Sequence, residues 1–145
     1  MLAMNHALAG VLIGSALPLP VAAPLAFLSH FAMDTLPHYG EPGQKRDQSR
    51  SYKAIIFADI GLALCINFTL LFNVPNKANM LICGWLACSG DFSLVYYYLK
   101  HKTLHTAHNG LLKKFHLQFH YERPWLLFPE LTLTLVLFII FINRI

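Results

Sequence analysis

Charged residues are scarce in this sequence. Only 12% of its 145 residues are Asp, Glu, Lys or Arg, whereas a typical soluble domain carries about 25%. An ordinary soluble domain and a disordered chain are therefore both disfavoured. Cysteine is scarce too. The three thiols lie inside apolar segments without the close pairing of a zinc knuckle, which indicates small buried side chains and no disulfide framework.

Several motifs of soluble enzymes are also absent. The sequence contains no G-x-S-x-G, so a serine-hydrolase elbow is not expected. It has neither a phosphate-binding glycine loop nor a dinucleotide fingerprint. The net charge of +4 comes from Lys and Arg spread between apolar runs, so we predict no nucleic-acid partner. A membrane protein is the class that fits this composition.

The first apolar run, from about Leu2 to Leu36, is interrupted by prolines at positions 18, 20 and 24. Each arm is short for a spanning helix, which needs about 20 residues. We therefore predict a proline-bent helical hairpin that crosses the membrane, or a re-entrant hairpin whose bend is covered by other helices. Gly10 and Gly14 form a G-x-x-x-G pair that permits close helix contact.

Three further apolar segments follow, and each is about as long as a spanning helix: Ala54–Phe72, Met80–Leu99 and Trp125–Ile142. Together with the hairpin they predict an all-α integral membrane protein, one polytopic domain over residues 1–145. A cleaved signal peptide is not expected, because residues 1–6 contain no Lys or Arg.

The basic residues concentrate in the connections 38–53 and 100–123, which lie on one side of the membrane in this topology. The positive-inside rule makes that side cytoplasmic, with the N-terminus inside, in a bacterial or archaeal inner membrane. The spacing of Leu and Phe in the second connection predicts an interfacial amphipathic helix. Membrane lipid is the expected environment and partner. The oligomeric state is left open.

Polar residues stand out within the first apolar run. His30 and Asp34 are four residues apart and share one helix face, and His38 follows just after Pro37. Two imidazoles and one carboxylate suit a divalent metal: zinc first, with iron and manganese as alternatives. The competing interpretation is that His30 and Asp34 simply pair with each other. For an H-x-x-x-D motif taken alone, this pair is the favoured interpretation.

Carboxylates in the other apolar segments favour the metal site over a simple His30–Asp34 pair. A carboxylate inside a spanning helix costs about 2.5–3.5 kcal/mol and therefore needs partners. Asp59, Asp91 and His30 all fall about 9–12 Å below the inner interface, at about 1.5 Å per residue, and His6 lies on the same side. This common depth predicts one shared pocket. Glu130, near the start of the last segment, is predicted to be a hydrogen-bond acceptor or a helix N-terminal anion.

The second basic connection adds more histidines. His116 and His120 have the H-x-x-x-H spacing that can place two imidazoles on one metal. His101, His105 and His108 share a helix face, and for them a headgroup-binding surface and a functional role stay equally open. We predict catalytic roles for Asp34, Asp59 and His120. The predicted metal ligands are His6, His30, Asp34, His38, Asp59, Asp91, His116 and His120.

The segment from Ser29 to Gly40 resembles the S-H-x-x-x-D-x-x-x-P/H-x-G stretch of the LexA-regulated, membrane-bound metal-dependent hydrolase family. That family also has a His ahead of its first apolar segment, as His6 is here. The resemblance covers residues 4–41, and the family's P-D-x-D and H-R-G-x-T-H-S motifs are missing. It implies a small bundle of spanning helices with metal-dependent hydrolase activity. The matching positions are His6, His30 and Asp34.

The predicted function is hydrolysis of a lipid or lipid-like ester, amide or phosphodiester at the inner leaflet, by water activated on the metal. A carboxylate or imidazole that is not a ligand would act as general base. Two other classes stay open. One is a non-enzymatic pathway or binding site for metal or protons. The other is a scaffold in which Asp–His pairs only hold helices together.

Overall fold

The computed structural model describes residues 1–41, 45–70, 77–102 and 122–144. Within these ranges the chain is mostly helical, as predicted. Short 3-10 turns occur at Ser89–Asp91 and Pro124–Leu126. The described α-helices are α1 (Ala3–Ala16), α2 (Leu19–Asp34), α3 (Lys45–Gln48), α4 (Arg50–Thr69), α5 (Lys77–Cys88), α6 (Phe92–His101) and α7 (Leu127–Ile142).

The proline-bent hairpin is formed by α1 and α2. Leu17 and Pro18 are both extended, which separates the two helices at the predicted place. Proline at the first turn of α2 is compatible with a helix, since its missing N–H would have no intrahelical partner there. The two helices run antiparallel, so the start of α1 lies beside the end of α2.

Helix α1 is the centre of the bundle and contacts α2, α4, α5 and α7. Its closest neighbour is α5, and glycines permit the approach. A Cβ added at Gly14 would lie 2.6 Å from the Asn79 carbonyl oxygen, and one added at Gly10 would lie 2.7 Å from the Ala87 Cβ. The close helix contact predicted from the G-x-x-x-G pair is therefore confirmed.

Two helical stretches are long and apolar enough to cross a membrane: Arg50–Thr69, with a mean hydropathy of 1.4, and Pro124–Ile142, with 2.3. Much of their apolar surface is outward-facing. Phe128 is 80% exposed and Phe68 is 64% exposed. These stretches correspond to the second and fourth predicted segments.

The third predicted segment, Met80–Leu99, is divided. Helix α5 ends at Cys88, a 3-10 turn covers Ser89–Asp91, and α6 begins at Phe92. Ser, Gly and Asp are poor residues for a helix interior, because Gly loses more backbone entropy and Ser and Asp compete for backbone hydrogen bonds. The predicted interfacial helix falls largely on residues 103–121, which lie outside the described ranges.

Two short strands bring distant connections together at the end of the bundle where α1 begins. β1 (His38–Tyr39) pairs in parallel with β2 (Glu122–Arg123). The side chains of Arg46 and Glu122 form an ion pair beside them. This pairing places the chain that leaves α2 next to the chain that enters α7.

Candidate metal centre

Three of the predicted ligands meet in one buried place: His6 from α1, and His30 and Asp34 from α2. One ligand atom from each residue lies within 4.8 Å of the others, and all three side chains are buried. Among the described residues, no other group of three or more His, Cys, Asp or Glu side chains has this geometry. The helical spacing of four brings His30 to Asp34, and the hairpin brings His6 to both.

The Asp34 carboxylate faces both imidazoles. His6 Nε2 lies 3.2 Å from Asp34 Oδ1, and His30 Nε2 lies 3.3 Å from Asp34 Oδ2. The two rings lie 4.2 Å apart between centroids. Donor atoms on a tetrahedral zinc, with bonds of about 2.0–2.1 Å, are separated by about 3.3 Å. The spacing of these atoms is therefore compatible with a shared cation. The Met1 nitrogen also lies 2.7 Å from Asp34 Oδ1.

A backbone carbonyl orients the His30 ring. His30 Nδ1 lies 2.9 Å from the Ala87 carbonyl oxygen, which can only accept a hydrogen bond. The proton of a neutral ring is therefore on Nδ1, and the lone pair on Nε2 faces Asp34. Histidines that bind metals usually donate their other N–H in this way to a carbonyl or a carboxylate. The donor set and the His30 orientation both fit a divalent metal.

The surroundings of the two imidazoles differ. His6 Nδ1 is buried and has no hydrogen-bond partner among the described residues. His30, in contrast, is packed against the 3-10 turn, because a Cβ added at Gly90 would lie 2.7 Å from His30 Cε1 and closer still to Nε2. The absence of a side chain at Gly90 therefore leaves the room that the His30 ring occupies.

Asp59 and Glu130 lie at the start of α1, outside the three-residue group. The Asp59 oxygens accept hydrogen bonds from the N–H groups of Ala3 (2.7 Å) and Met4 (2.9 Å). Glu130 Oε1 accepts from the Leu2 N–H. The first N–H groups of a helix lack intrahelical partners, and the two carboxylates supply them. Glu130 lies in the first turn of its own helix, α7, and accepts a hydrogen bond at the start of α1 as well.

The remaining predicted residues are dispersed. His38 is buried in β1, where its Nδ1 donates to the Leu36 carbonyl oxygen at 2.7 Å. Asp91 is partly buried in the 3-10 turn, and His101 is exposed at the end of α6. None of these joins the three-residue group. His105, His108, His116 and His120 lie outside the described residues.

Two residues of the site escaped sequence reasoning. Ala87 contributes only its carbonyl oxygen, and Gly90 contributes only the absence of a side chain. Neither residue type carries a chemical signal. The one available hint was the Ser89-Gly90-Asp91 stretch, which weakens a helix inside an otherwise apolar segment.

Comparison of the chain with protein-family models, with curated proteins and with solved structures finds no match. The chemistry of the site must therefore be inferred from its own residues.

Proposed function

We propose that this protein is an integral membrane hydrolase that uses a divalent metal held by His6, His30 and Asp34. Its substrate would be a lipid or lipid-like ester, amide or phosphodiester at the inner leaflet. The observation that carries the proposal is the convergence of these three buried side chains from two helices.

Three protein ligands are the number typical of catalytic zinc sites, which keep a further position for water. When bound, the metal supplies a water acidic enough to give hydroxide near neutral pH. The chain's own residues then have distinct tasks. His30 offers Nε2 because Ala87 holds its proton at Nδ1. Asp34 would ligate through one oxygen and leave the other to accept the proton of the attacking water.

The lipid substrate class rests on the outer surface of the bundle. Exposed apolar patches larger than a few hundred Å² are unusual on soluble monomers and indicate a membrane or a partner. Several large apolar side chains of α4 and α7 are exposed: Phe57, Leu62, Leu64, Phe68, Phe128, Leu131, Leu135, Val136, Ile139 and Ile142. Helices with such surfaces would lie in lipid, so the substrate that most readily reaches the site is itself a lipid.

The resemblance to the LexA-regulated, membrane-bound metal-dependent hydrolase family supports the same reaction class. The three positions that match the family pattern are His6, His30 and Asp34. The same three side chains lie within ligand distance of one another. The H-x-x-x-D spacing of the pattern already places His30 beside Asp34 on a helix, so the approach of His6 from α1 is the independent reason to propose metal-dependent chemistry.

A non-enzymatic metal or proton site is the second candidate, and one observation favours it. His6 and His30 are 0% exposed and Asp34 is 1% exposed. A centre enclosed to this degree suits a bound or passing cation as well as a substrate. The two candidates differ in whether a lipid is turned over.

The test uses purified wild type and Asp34→Ala, with Thr132→Ala as the control because Thr132 is exposed and its hydroxyl donates only to its own helix. Elemental analysis should find about one divalent metal per wild-type and Thr132→Ala chain, and none in Asp34→Ala. Defined lipid esters, amides and phosphodiesters in micelles should be cleaved by the first two proteins only.

The outcomes separate the candidates. Metal without lipid cleavage would favour the binding or transport role. A wild-type protein that takes up no zinc, iron or manganese would refute the hydrolase and the metal-binding role, and would leave the proton site and the scaffold.

A further inference from the structure

The start of α1 is held by two carboxylates that come from other helices. Ala3 and Met4 donate their N–H groups to Asp59 on α4, at 2.7 and 2.9 Å. Leu2 donates its N–H to Glu130 on α7. Both carboxylates are buried. Negative groups at a helix N-terminus interact favourably with the helix dipole and with the N–H groups that lack partners.

Glu130 also reaches the other ligand-bearing element. Its Oε2 accepts a hydrogen bond from the Tyr39 N–H at 2.6 Å. Tyr39 lies five residues after Asp34, in the strand that follows α2. One carboxylate therefore bonds both to the start of the helix that carries His6 and to the chain that leaves the helix carrying His30 and Asp34.

His6 lies within the first turn of α1, two residues after Met4. A helix is rigid over so short a distance, so the position of its first N–H groups fixes the His6 backbone from which the ring extends toward Asp34. The His6 ring must reach within about 3 Å of Asp34 to share a cation with it, and a shift of the helix start would open that distance.

We propose that Asp59 and Glu130 are positioning residues that seat the start of α1 so that His6 Nε2 faces Asp34. This inference rests on the metal centre of the proposed function. It assigns no ligand role to either carboxylate, since both oxygens of Asp59 and both oxygens of Glu130 accept backbone N–H groups. Asp59 joins the start of α1 to α4, whereas Glu130 joins the start of α1 to α7 and to the chain that leaves α2.

The test compares Asp59→Asn and Glu130→Gln with controls on the same two helices. Cys65→Ala changes an exposed residue of α4, and Thr132→Ala changes an exposed residue of α7. In metal-free protein labelled with ¹⁵N-histidine, the ring signals of His6 are identified by their loss in His6→Gln. We expect Asp59→Asn and Glu130→Gln to shift the His6 signals and to leave those of the exposed His101 unchanged. The controls should shift neither.

Titration with Co²⁺ alone, followed by its visible absorption, then measures the consequence for binding. Loss of groups that orient metal ligands typically lowers affinity 10–100-fold. We expect a loss of about that size in Asp59→Asn and Glu130→Gln, with wild-type affinity in both controls.

A further variant, Ala3→Pro, distinguishes positioning from ligation and serves if Asp59→Asn does not fold. It removes the N–H that Asp59 Oδ2 accepts while keeping the carboxylate. Proline is favoured at the first residue of a helix, and Leu2 before it is already extended, with φ −63° and ψ 138°. If Asp59 acts by positioning, Ala3→Pro should shift the His6 signals and weaken Co²⁺ binding. If Asp59 were a ligand, binding would survive.

Unchanged His6 signals in folded Asp59→Asn and Glu130→Gln would overturn the inference. Failure of the metal centre on which the proposed function rests looks different, because wild type itself would then bind no Co²⁺. The metal-free His6 signals would still decide whether the two carboxylates position α1.

Discussion

Two groups of buried side chains in the interior of the bundle differ in chemistry, and we call them its polar half and its apolar half. The polar half surrounds the start of α1 and consists of Asn5, His6, His30, Asp34, His38, Asp59 and Glu130. The apolar half surrounds the middle of α1 and consists of Leu8, Val11, Ile66, Leu70, Met80 and Phe141. The same helix thus passes through two interiors with opposite chemistry.

The two halves are stabilised in different ways. In the apolar half, shape and contact area decide stability, so similar side chains can replace one another at small cost. In the polar half, buried side chains form specific hydrogen bonds and ion pairs, and removing one partner leaves the other with the full free-energy cost of its desolvation. Substitutions in the apolar half should therefore change stability alone, whereas those in the polar half should also change metal binding.

The largest effect is expected from Asp34→Asn in the polar half. The amide keeps the shape of the side chain but replaces one oxygen that faces an imidazole with an NH₂ group. We expect Co²⁺ affinity to fall by at least about 100-fold, because a charged ligand is lost. Titration of the purified variant measures this. Wild-type affinity would remove Asp34 from the metal centre and erase the functional difference between the halves.

Leu8→Ala tests the apolar half. Leu8 is 0% exposed and packs in the apolar cluster. Removing it should lower the free energy of unfolding by about 2–5 kcal/mol, the range for large-to-small core changes. The folded fraction should bind Co²⁺ as wild type does. Denaturant unfolding and a Co²⁺ titration give the two numbers. A loss of affinity in the folded variant would show that the halves are coupled.

Gly90→Ala tests whether one added methyl group in the polar half is enough to change Co²⁺ affinity. The added Cβ would lie 2.7 Å from His30 Cε1, so the ring must move. We expect Co²⁺ affinity to fall about 10-fold, at the lower end for disturbed ligand orientation. Gly61→Ala is the matched control, since a Cβ there meets nothing within 4 Å. The control should gain about 0.5–1 kcal/mol of helix stability and keep its affinity. Equal affinities in the two variants would contradict the packing role of Gly90.

The smallest effect is expected where the halves meet. Thr134 donates its hydroxyl to Asn5 Oδ1 at 2.7 Å, and Asn5 Nδ2 lies 3.4 Å from Glu130 Oε1. Thr134→Val leaves the buried Asn5 Oδ1 without this donor, so it should lower the free energy of unfolding by about 1–3 kcal/mol, with Co²⁺ affinity within about 2-fold of wild type. Thermal unfolding and titration report both. A large loss of affinity would extend the metal-positioning network to α7 beyond Glu130.

Much of the fold could be predicted because it depends on local pattern. Apolar runs of spanning length and a pair of prolines were enough to predict the helices and the bend between α1 and α2. The break at Ser89–Asp91 was not predicted, because hydropathy averages hide one weak helical turn inside an apolar segment. The membrane topology and the inner-membrane location stay predictions.

The candidate site could be predicted in part: His6, His30 and Asp34 meet as expected, whereas Asp59 does not join them. Asp59 was expected among the ligands because its depth in the segment matched that of His30. Depth along a helix does not say which way a carboxylate turns, and Asp59 turns to the first N–H groups of α1. His116 and His120 remain predictions, since both lie outside the described residues.

The sequence alone determined that His30 and Asp34 share a face, because four residues make about one turn of any α-helix. Only the tertiary structure decided that His6 completes the group and that Ala87 and Gly90 surround His30. The physical reason is the distance along the chain over which each effect acts. Helical spacing acts between neighbours in the chain, whereas convergence of side chains from separate helices depends on how closely glycines, caps and packed faces let those helices approach.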